Sequence, residues 1–213
     1  MILILGHRGS MGTRYCAILD SLKIEWLGLD SLNGPITNTA IVNAAKKCSG
    51  IIICTPTDSH EKHLMLLAEL QLPVLCEKPI CKNLDTLARV LLKYKENFTP
   101  LSMVMQYREL LNDQAIGPSW YDYFRSGKDG LYWDCLQIIA LAEGSVRLEN
   151  KSPVWDCCIN GQTLNSKDMD QAYVWNIQRW LNGEKQSLKE LYAVHQRVHE
   201  FTKADKSSNR NSG

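Results

Sequence analysis

Short apolar runs alternate with amphipathic stretches through the first hundred residues. Ile2–Leu5 is continuously apolar, as a strand buried on both faces requires. From about Met11 to Leu22, Tyr15, Ile18, Leu19 and Leu22 recur at helical spacing and predict a helix. Ile24–Leu29 reads as a second strand, closed by Asp30. A short helix near Thr39–Lys47 leads to Ile51-Ile52-Ile53-Cys54, a third buried strand. Asp58, with Glu61 three residues on, forms a capping-box pattern and predicts a helix with Leu64, Leu67 and Ala68 on one face. Pro73–Cys76 reads as a fourth strand. Asn83 then caps a helix with Leu84, Leu87, Ala88 and Leu91 inward, and Leu101–Met105 is a fifth strand. Strands alternating with helices of this length predict a parallel sheet covered on both faces, and right-handed crossovers make it doubly wound.

That rhythm breaks in the second half. Trp120–Phe124 is strand-like, and Leu131–Ala142 reads as a helix. Val146–Glu149 and Val154–Ile159 are short strands, and Asn160-Gly161 signals a hairpin turn. Two helices follow, one ending near Gly183 and one opening on Ser187 and Glu190, with Leu188, Leu191, Val194 and Val198 inward. The expected organisation is a first domain over 1–108, a second over 109–203 and a flexible polar tail over 204–213.

Composition narrows the function classes. With 24 Lys and Arg against 23 Asp and Glu, the net charge of +1 gives no electrostatic case for nucleic acid or an anionic membrane. No apolar run approaches the roughly 18–20 residues of a membrane span. Met1–Leu5 stops at Gly6 with no basic segment before it, unlike a signal peptide. The 8 cysteines include no C-x-x-C pair, and most lie in apolar stretches, so a reducing cytoplasm is the expected setting.

The candidate chemistry sits where strands end. Gly6-His7-Arg8-Gly9-Ser10-Met11-Gly12 joins the first strand to the first helix. Glycines there let a backbone turn sharply and approach a pyrophosphate, while the helix N-terminus offers free N–H groups. The spacing is G-x-x-G-x-x-G, with Arg8 where a middle glycine is usual. Asp30 closes the second strand. Its carboxylate suits a ribose diol and repels a 2′-phosphate, which favours NAD over NADP. Two further segments, Cys54-Thr55-Pro56-Thr57-Asp58-Ser59-His60 and Cys76-Glu77-Lys78-Pro79, end the third and fourth strands. In a doubly wound sheet they open onto the same crevice as the glycine loop. A lysine there exchanges a proton with a carbonyl or alcohol oxygen once its pKa is lowered. Taken alone, Lys78 reads equally well as a solvated surface lysine.

Together these segments resemble the glucose-fructose oxidoreductase / inositol dehydrogenase (Gfo/Idh/MocA) family over roughly residues 1–108, in order and spacing: glycine loop, acidic residue, T-P-x-x-x-H, then E-K-P. The resemblance implies an N-terminal Rossmann-type domain and, with only about 100 residues beyond it, a reduced α+β second domain. It implies hydride transfer between a nicotinamide cofactor and a sugar, sugar derivative or cyclic polyol. The cofactor is expected on Gly6, Arg8, Gly9, Ser10, Met11, Gly12, Asp30, Thr55, Pro56, His60, Glu77, Lys78 and Pro79. The family's E-K-P lysine gives Lys78 its catalytic role, at the substrate as well as the nicotinamide. Tyr107-Arg108 resembles the segment leading into the substrate domain, so Tyr107 is a candidate helper in acid–base work and Arg108 a substrate contact. The family commonly carries an Asp and, three or four residues later, an acid–base His. Here Gly127 to Ile138 supplies Asp134, a candidate helper in acid–base work that reads equally well as a plain helix residue, but places Gln137 or Ile138 at the histidine position, leaving Gln137 as a substrate contact.

A second class of function stays open: a protein that keeps the dinucleotide for regulation or redox sensing and has lost the chemistry. A scaffold that binds no cofactor is a third, weaker class. A homodimer is among the assemblies the resemblance allows. No metal site is expected, since His60 and His63 lack a third ligand. His195 and His199, an i, i+4 pair without an intervening Glu, read as a solvated face, His7 as a solvent-facing loop residue, and Cys157-Cys158 as one buried and one exposed thiol.

Overall fold

A computed structural model describes residues 1–111, 116–122, 132–149, 151–152 and 155–208. The chain divides into two compact units, Met1–Val104 with Gly183–Tyr192, and Met105–Asn182 with Ala193–Gly213.

The first unit is a five-stranded parallel sheet. Its strands are β1 (Ile2–Leu5), β2 (Trp26–Leu29), β3 (Gly50–Ile53), β4 (Val74–Cys76) and β5 (Leu101–Met103), in the order β2-β1-β3-β4-β5. Leu5 lies opposite both Leu29 and Ile53, so the ends of β1, β2 and β3 stop at one level. The apolar runs of β1, β3 and β4 are buried on both faces, whereas edge strand β2 is half-buried. The order reverses direction between β1 and β3. At such a switch point the loops beyond the carboxyl ends diverge and leave a crevice.

Helices α1 (Ser10–Ser21), α2 (Asn38–Ala45), α3 (His60–Leu67) and α4 (Leu84–Glu96) connect the strands. The cap at Asn83 forms, its side chain accepting the Thr86 N–H at 3.0 Å. On α4 the inward stripe is Leu87, Val90, Leu91 and Tyr94, with Ala88 exposed. The capping box at Asp58 and Glu61 does not form. A 3-10 turn over Thr57–Ser59 displaces the helix start, Asp58 pairs with Lys82 at 3.2 Å, and Glu61 pairs with Arg89 at 2.8 Å. Carboxylates on an exposed first turn compete between the local backbone and nearby cations, and here the cations win.

In the second unit β6 (Ser119–Asp122), β7 (Val146–Glu149), β8 (Asp156–Ile159) and β9 (Gln162–Leu164) form a mixed sheet in the order β7-β6-β8-β9. Asn160 and Gly161 both have positive φ, 52° and 81°, as a two-residue hairpin turn requires. Val154 and Phe124, expected at strand ends, lie outside the described residues. Within the expected helix over Leu131–Ala142, residues 132–134 are helical, Cys135 forms a turn, and α5 (Leu136–Leu141) follows. Cys157 and Cys158 are both buried, because β8 is an inner strand with both faces covered. Helix α6 (Met169–Leu181) precedes α7 (Leu188–Ser208), which continues through residues 204–208; residues 209–213 lie outside the described set. No helix among the described residues is long and apolar enough to cross a membrane.

Candidate functional site

The glycine loop is shaped by close backbone approach. Gly6, at φ +84°, donates its N–H to Leu29 O at 2.7 Å, and Gly9 N–H donates to Gly6 O at 3.1 Å. A Cβ on Gly6 would stand 2.9 Å from backbone atoms of Cys54 and Thr55, so the loops after β1 and β3 meet there without room for a side chain. At Gly12 a Cβ would stand 2.1 Å from Gly6 O. Gly9 differs, since a Cβ there meets only Gly6 O, at an ordinary 3.5 Å. It is the N-cap of α1 and offers no side-chain cap, so the first-turn N–H groups of Ser10, Met11 and Gly12 have no acceptor within the helix.

Asp30 ties this loop to β2. Its Oδ2 accepts the Arg8 N–H and its Oδ1 the Leu32 N–H, both at 3.0 Å. Those bonds, led by Leu32, hold its carboxyl below the usual range. Arg8 therefore contributes its backbone to the loop through the Asp30 carboxylate, which explains how a residue other than glycine is accommodated. His7 does not face solvent as expected. Its ring packs 6.0 Å from Trp26 and covers Gly28, where a Cβ would meet the imidazole at 2.4 Å.

The loops after β3 and β4 are pinned together by His60, which is 1% exposed. Its Nε2 lies 2.8 Å from Thr55 O and its Nδ1 3.0 Å from Pro79 O. Cys76 Sγ, 3.5 Å from Nδ1, is placed to give its S–H to that nitrogen when Nε2 carries the proton. Burial pushes the His60 pKa down, opposed by its backbone bonds to Thr55, Pro79 and Ile80. His60, expected from the sequence at the cofactor site, ties the backbones of both loops together. Thr55 is buried, takes the Ser59 hydroxyl at 2.9 Å and lies 3.3 Å from His63 Nδ1.

Glu77 is buried, donates its N–H to Ile53 O at 2.8 Å, and folds its side chain back so that Oε2 accepts the Lys78 N–H at 3.1 Å. Its Oε1 accepts the Tyr15 hydroxyl of α1. Lys78 is half-buried, and the Lys78–Pro79 peptide is cis. The structure thus brings Gly6–Gly12, Asp30, Thr55-Pro56 and Glu77-Lys78-Pro79 to the carboxyl ends of neighbouring strands.

Burial of two histidines makes this unit acid-sensitive. Desolvation pushes His63 down to about 4, helped by His60 and Lys62, and lowers His60 as well. Each ring binds its proton more weakly folded than unfolded, so the stability it confers is full above about pH 6.5 and falls as the pH drops toward 4. Thermal melting is expected to fall steeply over that window. H63N is expected to flatten the fall, and an unchanged profile in that variant would contradict the assignment.

Tyr107, Arg108, Asp134 and Gln137 belong to the second unit. Gln137, expected as a substrate contact, is 1% exposed and bonded within its own unit. Its carbonyl accepts the Tyr107 N–H at 2.9 Å, and its amide donates to Gln106, which donates to Tyr173 at 2.8 Å. A buried amide is satisfied this way, and the neighbouring Ile138 is buried too. Tyr107 packs edge-on against Trp155, and burial, with thiol and tyrosyl neighbours, pushes its hydroxyl well above the usual range, which weakens it as a proton donor. Arg108 lies half-buried on a 3-10 turn over Gln106–Leu110, and Asp134 half-buried at the end of the short helical stretch over 132–134. His195 is 0% exposed rather than solvated, with Trp133 at 6.2 Å and His199 on the same Trp ring at 5.5 Å. Residues 127–131 of the expected Gly-Asp segment lie outside the described residues. Among the described residues, no group of three or more His, Cys, Asp or Glu could hold a metal ion.

Tyr15 is the site-forming residue that sequence reasoning left in the core. The available signal is that a buried Tyr needs a partner for its hydroxyl. That partner, Glu77, is remote in sequence.

Residues 24–104 match the GFO_IDH_MocA family model, described as "Oxidoreductase family, NAD-binding Rossmann fold". The match takes in Asp30, Thr55 to His60 and Glu77 to Pro79, and begins after the glycine loop. The chain is 30% identical over 121 residues to an inositol 2-dehydrogenase of Rhizobium meliloti, a stretch covering 51% of this chain and 36% of that protein. The chain thus spans about a third of that relative's length. In fold it resembles a Gfo/Idh/MocA family oxidoreductase from Vibrio cholerae, with TM-score 0.68 and 10% identity, covering 98% of this chain and 99% of the other. It also resembles the WlbA (WbpB) dehydrogenase from Thermus thermophilus in complex with NAD and UDP-GlcNAcA, with TM-score 0.66 and 14% identity, covering 92% of each chain. Over residues 24–104, the stretch that carries Asp30, Thr55 to His60 and Glu77 to Pro79, the chain is thus similar to the NAD-binding Gfo/Idh/MocA oxidoreductases.

Proposed function

We propose that this chain is an NAD-dependent oxidoreductase that exchanges hydride with a C–OH or C=O carbon of a sugar, sugar derivative or cyclic polyol. One observation carries the reading: a phosphate-type loop, a carboxylate at the end of β2 and a lysine at the end of β4 converge at the switch point of a parallel sheet. The residues present suit a dinucleotide. Gly9 leaves space for a pyrophosphate, the first-turn N–H groups of α1 supply its donors, and Asp30 keeps lone pairs for a ribose diol. Thr55-Pro56 and Pro79 frame the same crevice. NAD, when bound, supplies the hydride acceptor or donor. Lys78 hydrogen-bonds the reacting oxygen and takes or returns its proton. The substrate class follows the relatives, one an inositol dehydrogenase and one solved with a nucleotide sugar.

Asp30 gives a direct test of the cofactor reading. In D30A, NADH affinity is expected to fall and the preference for NADH over NADPH to shrink at least about tenfold, a charge-assisted hydrogen bond being worth roughly 1.5–3 kcal/mol. An unaltered ratio of the two dissociation constants would remove Asp30 from the site.

The buried Gln137 favours a second reading, an NAD(H)-binding regulator or redox sensor, because no imidazole stands where the family's histidine is expected. A screen of inositols, free sugars and nucleotide sugars with NAD separates the two. Sustained reduction of NAD that is lost in a Lys78 variant supports the enzyme. Tight NADH binding without turnover on any of them supports the sensor.

A further inference from the structure

Helix α1 starts at the glycine loop and carries Tyr15 on its buried face. Packing alone would be met by Phe. The hydroxyl adds a bond to Glu77 Oε1, a carboxylate only 7% exposed. The other carboxylate oxygen accepts the Lys78 N–H, and the Glu77 N–H is fixed to Ile53 O. Through its carboxylate and its own N–H, Glu77 therefore joins α1 and the end of β3 to the peptide from which the Lys78 side chain starts. Hydrogen bonds to a buried carboxylate are stronger than neutral ones and hold its position.

We infer that Tyr15 is a positioning residue for Lys78: through Glu77 it fixes the backbone that aims the Lys78 side chain and ties it to the helix that opens the dinucleotide loop. The inference rests on the reading of Lys78 as the proton-handling group. The Tyr15–Glu77 bond is separate from the Asp30 bond to Arg8 and from the backbone bonds that shape the loop at Gly6 and Gly9. Removing it therefore loosens Lys78 while leaving nucleotide binding in place.

The test compares the full-length protein with Y15F and E77Q. Trinitrobenzenesulfonate labelling of lysines, resolved by peptide mass spectrometry, reads Lys78 against Lys62 and Lys82 as internal references. In Y15F, Lys78 is expected to label at least about threefold faster while both references keep their rates, the sign of local rather than global loosening. NADH affinity is expected to stay within about twofold. With myo-inositol and NAD as the probe reaction, kcat is expected to fall about tenfold and KM to stay within about twofold, as a misaimed proton acceptor predicts. Equal Lys78 labelling in wild type and Y15F overturns the inference, as does a rise shared by all three lysines. Should Y15F fail to fold, E77Q decides, because its amide loses the charge or sets a donor against the Lys78 N–H. Faster labelling of Lys78 alone supports the inference, and unchanged labelling ends it. A wild type that oxidises no polyol or sugar refutes the oxidoreductase reading, and the labelling still decides the role of Tyr15.

Discussion

Turnover is expected to fall roughly a hundred- to ten-thousandfold in K78M, the range that a general acid–base group contributes, with NADH affinity changed by less than about threefold. Methionine keeps most of the side-chain length and the backbone N–H that Glu77 Oε2 holds, so the loop after β4 stays in place. What is lost is the ammonium and its proton. With Gln137 buried and Tyr107 resistant to deprotonation, neither is suited to take over. Near-normal turnover in K78M would move the proton chemistry to a residue outside this constellation. A parallel loss of NADH binding would instead make Lys78 a cofactor anchor.

The second large effect is expected at the start of α1. In G12A the new methyl would have to occupy space 2.1 Å from Gly6 O and 2.6 Å from His7 backbone atoms. No flexible side chain stands there to move, so the helix must part from the loop. Overpacking of this kind costs roughly 1–3 kcal/mol, which corresponds to a melting temperature lower by roughly 3–10 °C for a chain of this size. Nucleotide affinity is expected to fall at least about tenfold, because the N–H groups of the first turn lose their register with the loop. G9A is the matching control. Its Cβ meets only one backbone oxygen at 3.5 Å, so the melting temperature is expected to hold. Its nucleotide affinity is expected to fall, because the methyl fills the space a pyrophosphate would use. If G9A and G12A lose stability alike, the difference between these two glycines is misassigned.

The first unit was legible because its signals are local. Runs such as Ile2–Leu5 and Ile51–Ile53 announce strands buried on both faces, and strand–loop–helix order places Gly6 to Gly12, Thr55-Pro56 and Glu77-Lys78 at one end of the sheet. Local rules failed where two equally good local partners compete. Asp58 and Glu61 could cap a helix or pair with Lys82 and Arg89, and only the packing of α3 beside α4 decides. The roles of His60 and Tyr15 were illegible for a different reason. In the sequence His60 reads as a cofactor-site residue and Tyr15 as core; in the fold both His60 nitrogens lie against backbone carbonyls, and Tyr15 reaches Glu77. A sequence shows that a polar group exists, but not which remote group satisfies it. The second unit was harder still. Its strands are short, and burial of polar groups such as Gln137 and His195 depends on neighbours that no periodicity encodes.

The most direct test is a fluorescence titration of the purified protein with NADH and, separately, NADPH. Saturable binding of NADH, with NADPH weaker by at least about tenfold and that preference diminished in D30A, is the predicted result. No binding of either nucleotide would contradict the assignment of Gly6 to Gly12 and Asp30 as a dinucleotide site, and with it the oxidoreductase reading.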